Sequence, residues 1–283
     1  MKIYYKTKIW TQLAGLQMLR LHSYVESCVF APPSPRYDYP ADVRRWYTKT
    51  CVELYAKTGV PCIADEHITS PKYVVIFTHG NAENLATVGG FLHTLAVKLN
   101  AHVYCPEYPS YSRDSKKATE QGCYEAVEKF AAAIPHIVLK RPVILFGYSM
   151  GAALALHTAD VHRSDTFPKA VILVAPFVSA VSVAYARKEW EIPLSFAFSC
   201  FDVFRMREAA LCQGHHILVA HGTDDTVVPF THGQAIARWS AQNTRGVCSF
   251  VPVPGADHTS VLEDNSALWP GVAAFLAEVE RTN

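Results

Sequence analysis

The chain has 283 residues, half of them hydrophobic and 18% charged, with a formal net charge of +1. That length and composition suit a soluble α/β chain whose core is large enough to need no staples. A near-zero charge without a basic run argues against a nucleic-acid partner, and no uninterrupted apolar stretch of about 18 residues offers a membrane span.

Residues 1–31 differ from the rest. Lys2, Lys6, Lys8 and Arg20 occur there, no acid precedes Glu26, and Ile9, Trp10, Leu13 and Leu16 recur at helical spacing. Such a basic amphipathic segment either packs on the domain, makes peripheral contact with an anionic membrane surface, or acts as a presequence-like leader. It lacks the continuous apolar core of a signal peptide. Ala31-Pro32-Pro33-Ser34-Pro35 breaks the chain, and a catalytic domain is expected over 32–283.

Thr48 to Lys57 and Val60 to Ile68 read as two strands joined in a hairpin at Thr58-Gly59. Tyr73 to Phe77 is a continuous apolar strand, as a sheet covered on both faces requires. His79-Gly80-Asn81-Ala82-Glu83-Asn84 follows, then a helix from Leu85 to Leu99. A strand over His102–Pro106 leads through the loop Glu107–Arg113 to a helix over Thr119–Ile134. Strands are expected at Pro142–Phe146, Ala170–Ala175, His216–Ala220 and Val247–Val253, with helices at Thr231–Ala241 and Glu263–Glu280. The alternation predicts the α/β class: a mostly parallel central sheet of about eight strands with helices on both faces. Ligands then bind at the carboxyl ends of the strands. Residues 177–213 interrupt the alternation with Phe177, Tyr185, Trp190, Leu194, Phe196, Phe198, Phe201 and Phe204. They form either ordinary helix packing or a small cap whose aromatic face lines a hydrophobic pocket, with Phe177, Tyr185 and Trp190 as candidate pocket residues. Eight scattered cysteines without a Cys-x-x-Cys pair read as reduced core thiols, a disulfide framework being the alternative.

The strand at Pro142–Phe146 runs into Gly147-Tyr148-Ser149-Met150-Gly151 and then into the small-residue run Ala152-Ala153-Leu154-Ala155-Leu156. Strand, sharp turn and helix, with a serine at the apex, is the context of a nucleophile elbow. The Gly-x-Ser-x-Gly pattern alone is weak, since glycine-bracketed turns are common. Three other loops strengthen it. His79-Gly80-Asn81, after an apolar strand, suits an oxyanion loop, with one N–H from Asn81 and the other from Met150. His79 itself reads as structural, hydrogen-bonding within that loop. His221-Gly222-Thr223-Asp224-Asp225 places two acids after the next strand. Neighbouring residues of a turn point differently, so one alone faces a histidine; Asp225 is preferred, with Asp224 stabilising the turn. Pro254-Gly255-Ala256-Asp257-His258 places a histidine after the last strand. The order Ser149, Asp225, His258 is that of hydrolases on this fold. In such a triad the histidine takes the serine proton and the acid holds its tautomer. This chemistry needs no metal or organic cofactor.

Taken together, His79-Gly80-Asn81-Ala82, Gly147-Tyr148-Ser149-Met150-Gly151, Cys200-Phe201-Asp202-Val203-Phe204, His221-Gly222-Thr223-Asp224-Asp225 and Gly255-Ala256-Asp257-His258 resemble the alpha/beta-hydrolase domain-containing protein 17 branch of the alpha/beta hydrolases. The resemblance spans residues 28–280, and the Cys-Phe-Asp-x-Phe stretch is its most specific part. It implies an alpha/beta-hydrolase fold and a membrane-associated serine hydrolase that removes palmitoyl groups from protein cysteines. The substrate would be an acylated protein or a lipid-like acyl compound, and the location intracellular, either cytoplasmic or peripheral to a membrane. Two departures stand out. The branch anchors itself through an N-terminal cysteine cluster, where this chain has only Cys28 before Ala31. The branch's Asp-Tyr-x-Gly-Tyr-Gly loop reads Glu107-Tyr108-Pro109-Ser110-Tyr111-Ser112 here, which predicts a changed loop backbone. Two rival functions are a serine peptidase, with Glu189 and Glu191 of the cap to hold a substrate amine, and a non-catalytic binding protein.

Overall fold

The structure is a computed structural model that describes residues 26, 27, 29–34, 36–113, 116–137, 141–162, 167–186, 202–206, 214–263 and 266–282, with backbone only at 135–137 and 184–186. Apolar runs that do not alternate must be covered on both faces, and they form the strands β1 Cys62–Asp65, β2 Tyr73–Thr78, β3 Ala101–Pro106, β4 Val143–Tyr148, β5 Ala170–Val174, β6 Ile217–Gly222 and β7 Cys248–Val253. The helices are α1 Lys49–Thr58, α2 Leu85–Leu99, α3 Glu120–Ile137, α4 Met150–Val161, α5 Ala180–Ala186, α6 Phe230–Asn243 and α7 Leu268–Arg281. Short 3-10 turns occupy Ala41–Trp46 and Ser260–Leu262.

The sheet order is β1-β3-β2-β4-β5-β6-β7. Only β1 runs antiparallel, with Cys62 opposite Pro106 and Asp65 opposite Val103. All other pairs are parallel, so β2 to β7 end on one edge. Period-two alternation sends Val74, Ile76, Leu145, Leu173 and Val219 to one face, where α1, α3, α4 and α6 cover them. Val75, Phe77, Phe146, Ile172 and Leu218 go to the other face, under α2 and α7. This is the alpha/beta-hydrolase architecture, with seven strands among the described residues rather than about eight.

The missing strand is the first one expected. Thr48 to Lys57 does not form a hairpin with the next segment; it is the helix α1. Thr48 caps it by accepting from the Cys51 N–H at 3.3 Å, and Gly59 ends it at φ 69. In a strand Val52 and Leu54 would share a face. In the helix Cys51 and Leu54 are buried while Val52 and Tyr55 are 48% and 42% exposed. The segment Val60–Ile68 contributes only Cys62–Asp65 as strand. The last helix starts at Leu268, later than expected, with Pro270 in its first turn.

Cys51, Cys62, Cys105 and Cys123 are buried free thiols and Cys248 is a partly buried one. Cys28, Cys200 and Cys212 lie outside the described residues. Among the described residues no helix is long and apolar enough to cross a membrane. The helical spacing noted before residue 26 lies outside the described residues.

Candidate active site

The end of β4 becomes an elbow because two glycines permit it. A Cβ on Gly147 would lie 2.5 Å from the Gly151 carbonyl oxygen, and one on Gly151 would lie 1.9 Å from that of Thr78. Thr78 ties the end of β2 to this turn, its hydroxyl donating to the Gly151 carbonyl at 2.8 Å. Ser149 occupies the apex at φ 52, ψ −117, a conformation that costs a non-glycine residue about 1–3 kcal/mol. Its N–H donates to the Val174 carbonyl at 3.0 Å, which anchors the elbow to β5. Burial of both faces of the sheet holds the strain in place.

His258 reaches this serine from the loop after β7. Its Nε2 lies 3.0 Å from Ser149 Oγ, and its Nδ1 lies 2.7 Å from Asp225 Oδ2. A carboxylate only accepts, so Nδ1 carries the proton and Nε2 is free to accept from the serine. The loop is held at both ends. Asp257 Oδ1 accepts from the N–H groups of Thr259 and Ser260, and the Tyr148 hydroxyl donates to the His258 carbonyl at 3.0 Å.

Asp225 sits in the turn after β6. Its Oδ1 accepts from the N–H groups of Val227 and Val228 at 2.9 and 2.7 Å, which leaves Oδ2 for the histidine. His221 Nε2 also approaches Oδ2, at 3.3 Å. Burial pushes the carboxyl up, but hydrogen bonds from His221 and His258 outweigh it and hold Asp225 well below the usual carboxylate range. Asp224 points to solvent and accepts from its neighbour's Thr223 hydroxyl at 2.8 Å. The structure therefore brings Ser149, His258 and Asp225 into one relay and leaves Asp224 out of it.

Met150 is the first residue of α4, where helix geometry provides N–H groups no helical partner. Asn81 lies on the loop after β2. Its side chain donates to the Val29 carbonyl and accepts from the Ala31 N–H at 3.0 Å. The Tyr111 hydroxyl donates to Asn81 Oδ1 and contacts Met150 Sδ at 3.8 Å, so one ring touches both residues. The loop itself is braced from beneath. His79 is fully buried, with Nδ1 2.9 Å from the Gly80 carbonyl and Nε2 2.9 Å from Glu107 Oε1. Both partners accept, so both ring nitrogens donate. Burial alone would lower the imidazole; the Glu107 carboxylate overrides this and raises it. Glu107 also accepts from the Tyr37 hydroxyl and from the N–H groups of Leu85 and Tyr108.

In the loop after β3, Ser110 adopts φ 76, the region glycine favours. The buried rings of Tyr108 and Tyr111 on either side hold that turn.

Of the candidate pocket residues, Phe177 is buried, edge-on to Phe204 at 6.3 Å. Tyr185 belongs to α5 but its side chain lies outside the described residues, as do Trp190, Glu189 and Glu191. The stretch Asp202–Met206 fastens α5 to the domain. Asp202 Oδ1 accepts from the Val181 N–H, the Val203 carbonyl accepts from the Ala180 N–H, and the Phe204 N–H donates to Glu120 at 2.6 Å.

Sequence reasoning missed His221, Tyr148, Tyr111 and Glu107. His221 was detectable, since it stands four residues before Asp225 at a strand end. Tyr148 lies inside the elbow motif and Glu107 and Tyr111 inside the loop after β3; their partners, the His258 carbonyl, His79 and Asn81, are distant in the chain and carry no local signal. The arrangement as a whole has a proton acceptor beside a hydroxyl, an ionised carboxylate behind that acceptor, and a helix start beside both.

A model of the alpha/beta hydrolase family matches residues 75–213. The chain is 30% identical to alpha/beta hydrolase domain-containing protein 17B of Homo sapiens, with 73% of this chain and 76% of that protein covered. It is 27% identical to alpha/beta hydrolase domain-containing protein aho-3 of Caenorhabditis elegans, covering 84% and 74%. Among solved structures, Est1E from Butyrivibrio proteoclasticus superposes with a TM-score of 0.57 at 16% identity, over 78% of this chain and 95% of that one. A thermophilic esterase from Thermogutta terrifontis superposes with a TM-score of 0.57 at 17% identity, over 86% and 98%. At those identities the two structures speak to fold alone.

Proposed function

The chain belongs to the alpha/beta hydrolase family, in the branch of alpha/beta hydrolase domain-containing protein 17, and on that premise we propose that it is a serine hydrolase of acyl esters or thioesters. The reading rests on one observation above all: His258 lies 3.0 Å from the hydroxyl of a serine at positive φ and 2.7 Å from an ionised, buried Asp225. His258 Nε2 removes the Ser149 proton as Oγ attacks the acyl carbonyl carbon. Asp225 keeps the proton on Nδ1 and stabilises the imidazolium that forms. The N–H groups of Asn81 and Met150 receive the oxyanion, a role in which each donor supplies about 2.7–4 kcal/mol. As the tetrahedral intermediate collapses, His258 returns the proton to the departing alcohol or thiol, leaving an acyl group on Ser149. Water, deprotonated by the same imidazole, then releases the acid.

The substrate we infer is a long-chain acylated protein or a lipid-like acyl compound, with removal of palmitoyl groups from protein cysteines as the activity that the branch suggests. Phe177, Tyr185 and Trp190 are proposed to contact the acyl chain, and residues 1–31 to make peripheral contact with an intracellular membrane. Val29 and Ala31 hold the Asn81 side chain, so this segment leads directly to the oxyanion loop. A fluorophosphonate probe tests the mechanism: it should label the wild-type chain and not Ser149→Ala, with both proteins melting at closely similar temperatures. An unlabelled wild-type protein would overturn the proposal, and turnover of aminoacyl amides in preference to esters would redirect it to a peptidase.

A further inference from the structure

A second cluster of reactive side chains lies away from Ser149, where the edge strand β1 ends. Asp65 closes β1 with its carboxylate 4% exposed. The chain turns there, and His67 folds back so that its Nδ1 meets Asp65 Oδ1 while its own N–H donates to the same oxygen at 3.2 Å. His93 arrives from the middle of α2, and its Nδ1 lies 3.1 Å from Asp65 Oδ2. The two imidazole rings sit 4.5 Å apart with a tilt of 34°. The three ligand atoms lie within 4.8 Å of one another.

We propose that Asp65, His67 and His93 bind a divalent transition-metal ion of the zinc class, with water completing the coordination. Two imidazole nitrogens and one carboxylate oxygen are a donor set for zinc and its neighbours, whereas calcium and magnesium prefer oxygen ligands throughout. Zinc bonds of about 2.0–2.2 Å place tetrahedral donors about 3.3–3.6 Å apart. The 3.1 Å pair of His93 and Asp65 already stands near that spacing. The histidine side chains are 40% and 54% exposed, so small χ rotations bring in the rest without moving backbone. Asp65 Oδ1 takes both contacts from His67 and Oδ2 takes the contact from His93, so each carboxylate oxygen faces an imidazole nitrogen. Coordination uses both rings, because each presents its Nδ1 to the one carboxylate and the three ligand atoms lie within 4.8 Å of one another. A ring that coordinates through Nδ1 carries its proton on Nε2, so metal binding moves each ring proton from the carboxylate side to Nε2 by tautomer exchange through solvent, with no net proton released.

The place of the site in the fold defines its role. Asp65 pairs with Val103, three positions before the end of β3 at Pro106, so the cluster is set back from the edge that carries Ser149. The ion fastens the exit of the edge strand to α2, the helix that follows the Asn81 loop. It takes no part in acyl transfer. The inference goes beyond the hydrolase reading and stands or falls apart from it.

Calorimetric titration of the full chain with Zn2+, Ca2+ and Mg2+ tests the site. The wild-type protein should bind one Zn2+ per chain in preference to the other two ions, and its melting temperature should rise on binding. The double variant His67→Asn/His93→Asn loses two of three ligands, so its affinity should fall by more than the about 10–100-fold typical of losing one supporting partner. Fluorophosphonate labelling should be unchanged in it. If the double variant does not fold, His93→Asn alone, on the exposed face of α2, should show the weakening. Absence of Zn2+ binding by the wild type, equal binding by the variants, or preference for Ca2+ or Mg2+ would each overturn the proposal. So would loss of binding in His258→Asn, which would place the ion in the relay instead.

Discussion

Asp224 and Asp225 carry the same side chain one position apart, and the direction of the backbone separates them. Asp225 turns into the protein and receives two N–H groups and two imidazoles; Asp224 turns to solvent. Asp225→Asn should therefore lower kcat by about 10⁴, the cost of holding a triad histidine in the wrong tautomer, while Asp224→Asn stays within a few-fold. Steady-state hydrolysis of an activated acyl ester compares them. The depressed carboxyl of Asp225 also has a pH consequence with a definite sign. Its folded value lies below the free value of 3.8, so the unfolded chain takes up this proton first as pH falls. The stability it supplies is fully present above 3.8 and is lost as pH drops through the lower folded value. Thermal melts from about pH 5 to pH 2 should show wild type losing stability more steeply than Asp225→Asn. Ser149 and His258 were legible because each occupies a turn with its own sequence pattern. Asp225 is preferred over Asp224 because neighbours in a turn point differently, and the folded chain fixes which way each points.

At the scale of elements, α1 is the instructive case. Val52 and Leu54 alternate with Glu53, and that short pattern reads as a strand. The decisive features are the cap and the stop: Thr48 before the first turn and Gly59 in left-handed conformation after the last. Thr48→Ala should cost about 1 kcal/mol in chemical denaturation, the usual loss for an N-cap. A far smaller effect would contradict the cap. The loop after β3 teaches the converse. Ser110 adopts a left-handed φ of 76 without being glycine, between the buried Tyr108 and Tyr111. Tertiary packing here overrides local preference, as it also does at Ser149, where two neighbouring glycines and the ends of β2 and β5 make the strained φ obligatory.

On the scale of the molecule, the parallel strands matter most. Because β2, β4, β6 and β7 all end on one edge, four loops separated by up to 180 residues meet there. A series of acyl esters and thioesters of increasing chain length should show kcat/KM rising towards long chains if the aromatic residues of 177–213 hold the acyl group; a flat or falling series would remove depalmitoylation from the proposal. The sequence by itself determined the fold class and the order of the reactive loops, since continuous apolar runs, glycine turns and their alternation with helices are local properties of the chain. Tertiary structure alone decided the rest. It brought His221 and Tyr111 to the site, braced the Asn81 loop on a buried His79–Glu107 pair, and set His93 beside Asp65. Each of these is a contact across the sheet or between an element and its neighbour. Such contacts depend on register and side-chain direction, which no periodicity along the chain can express.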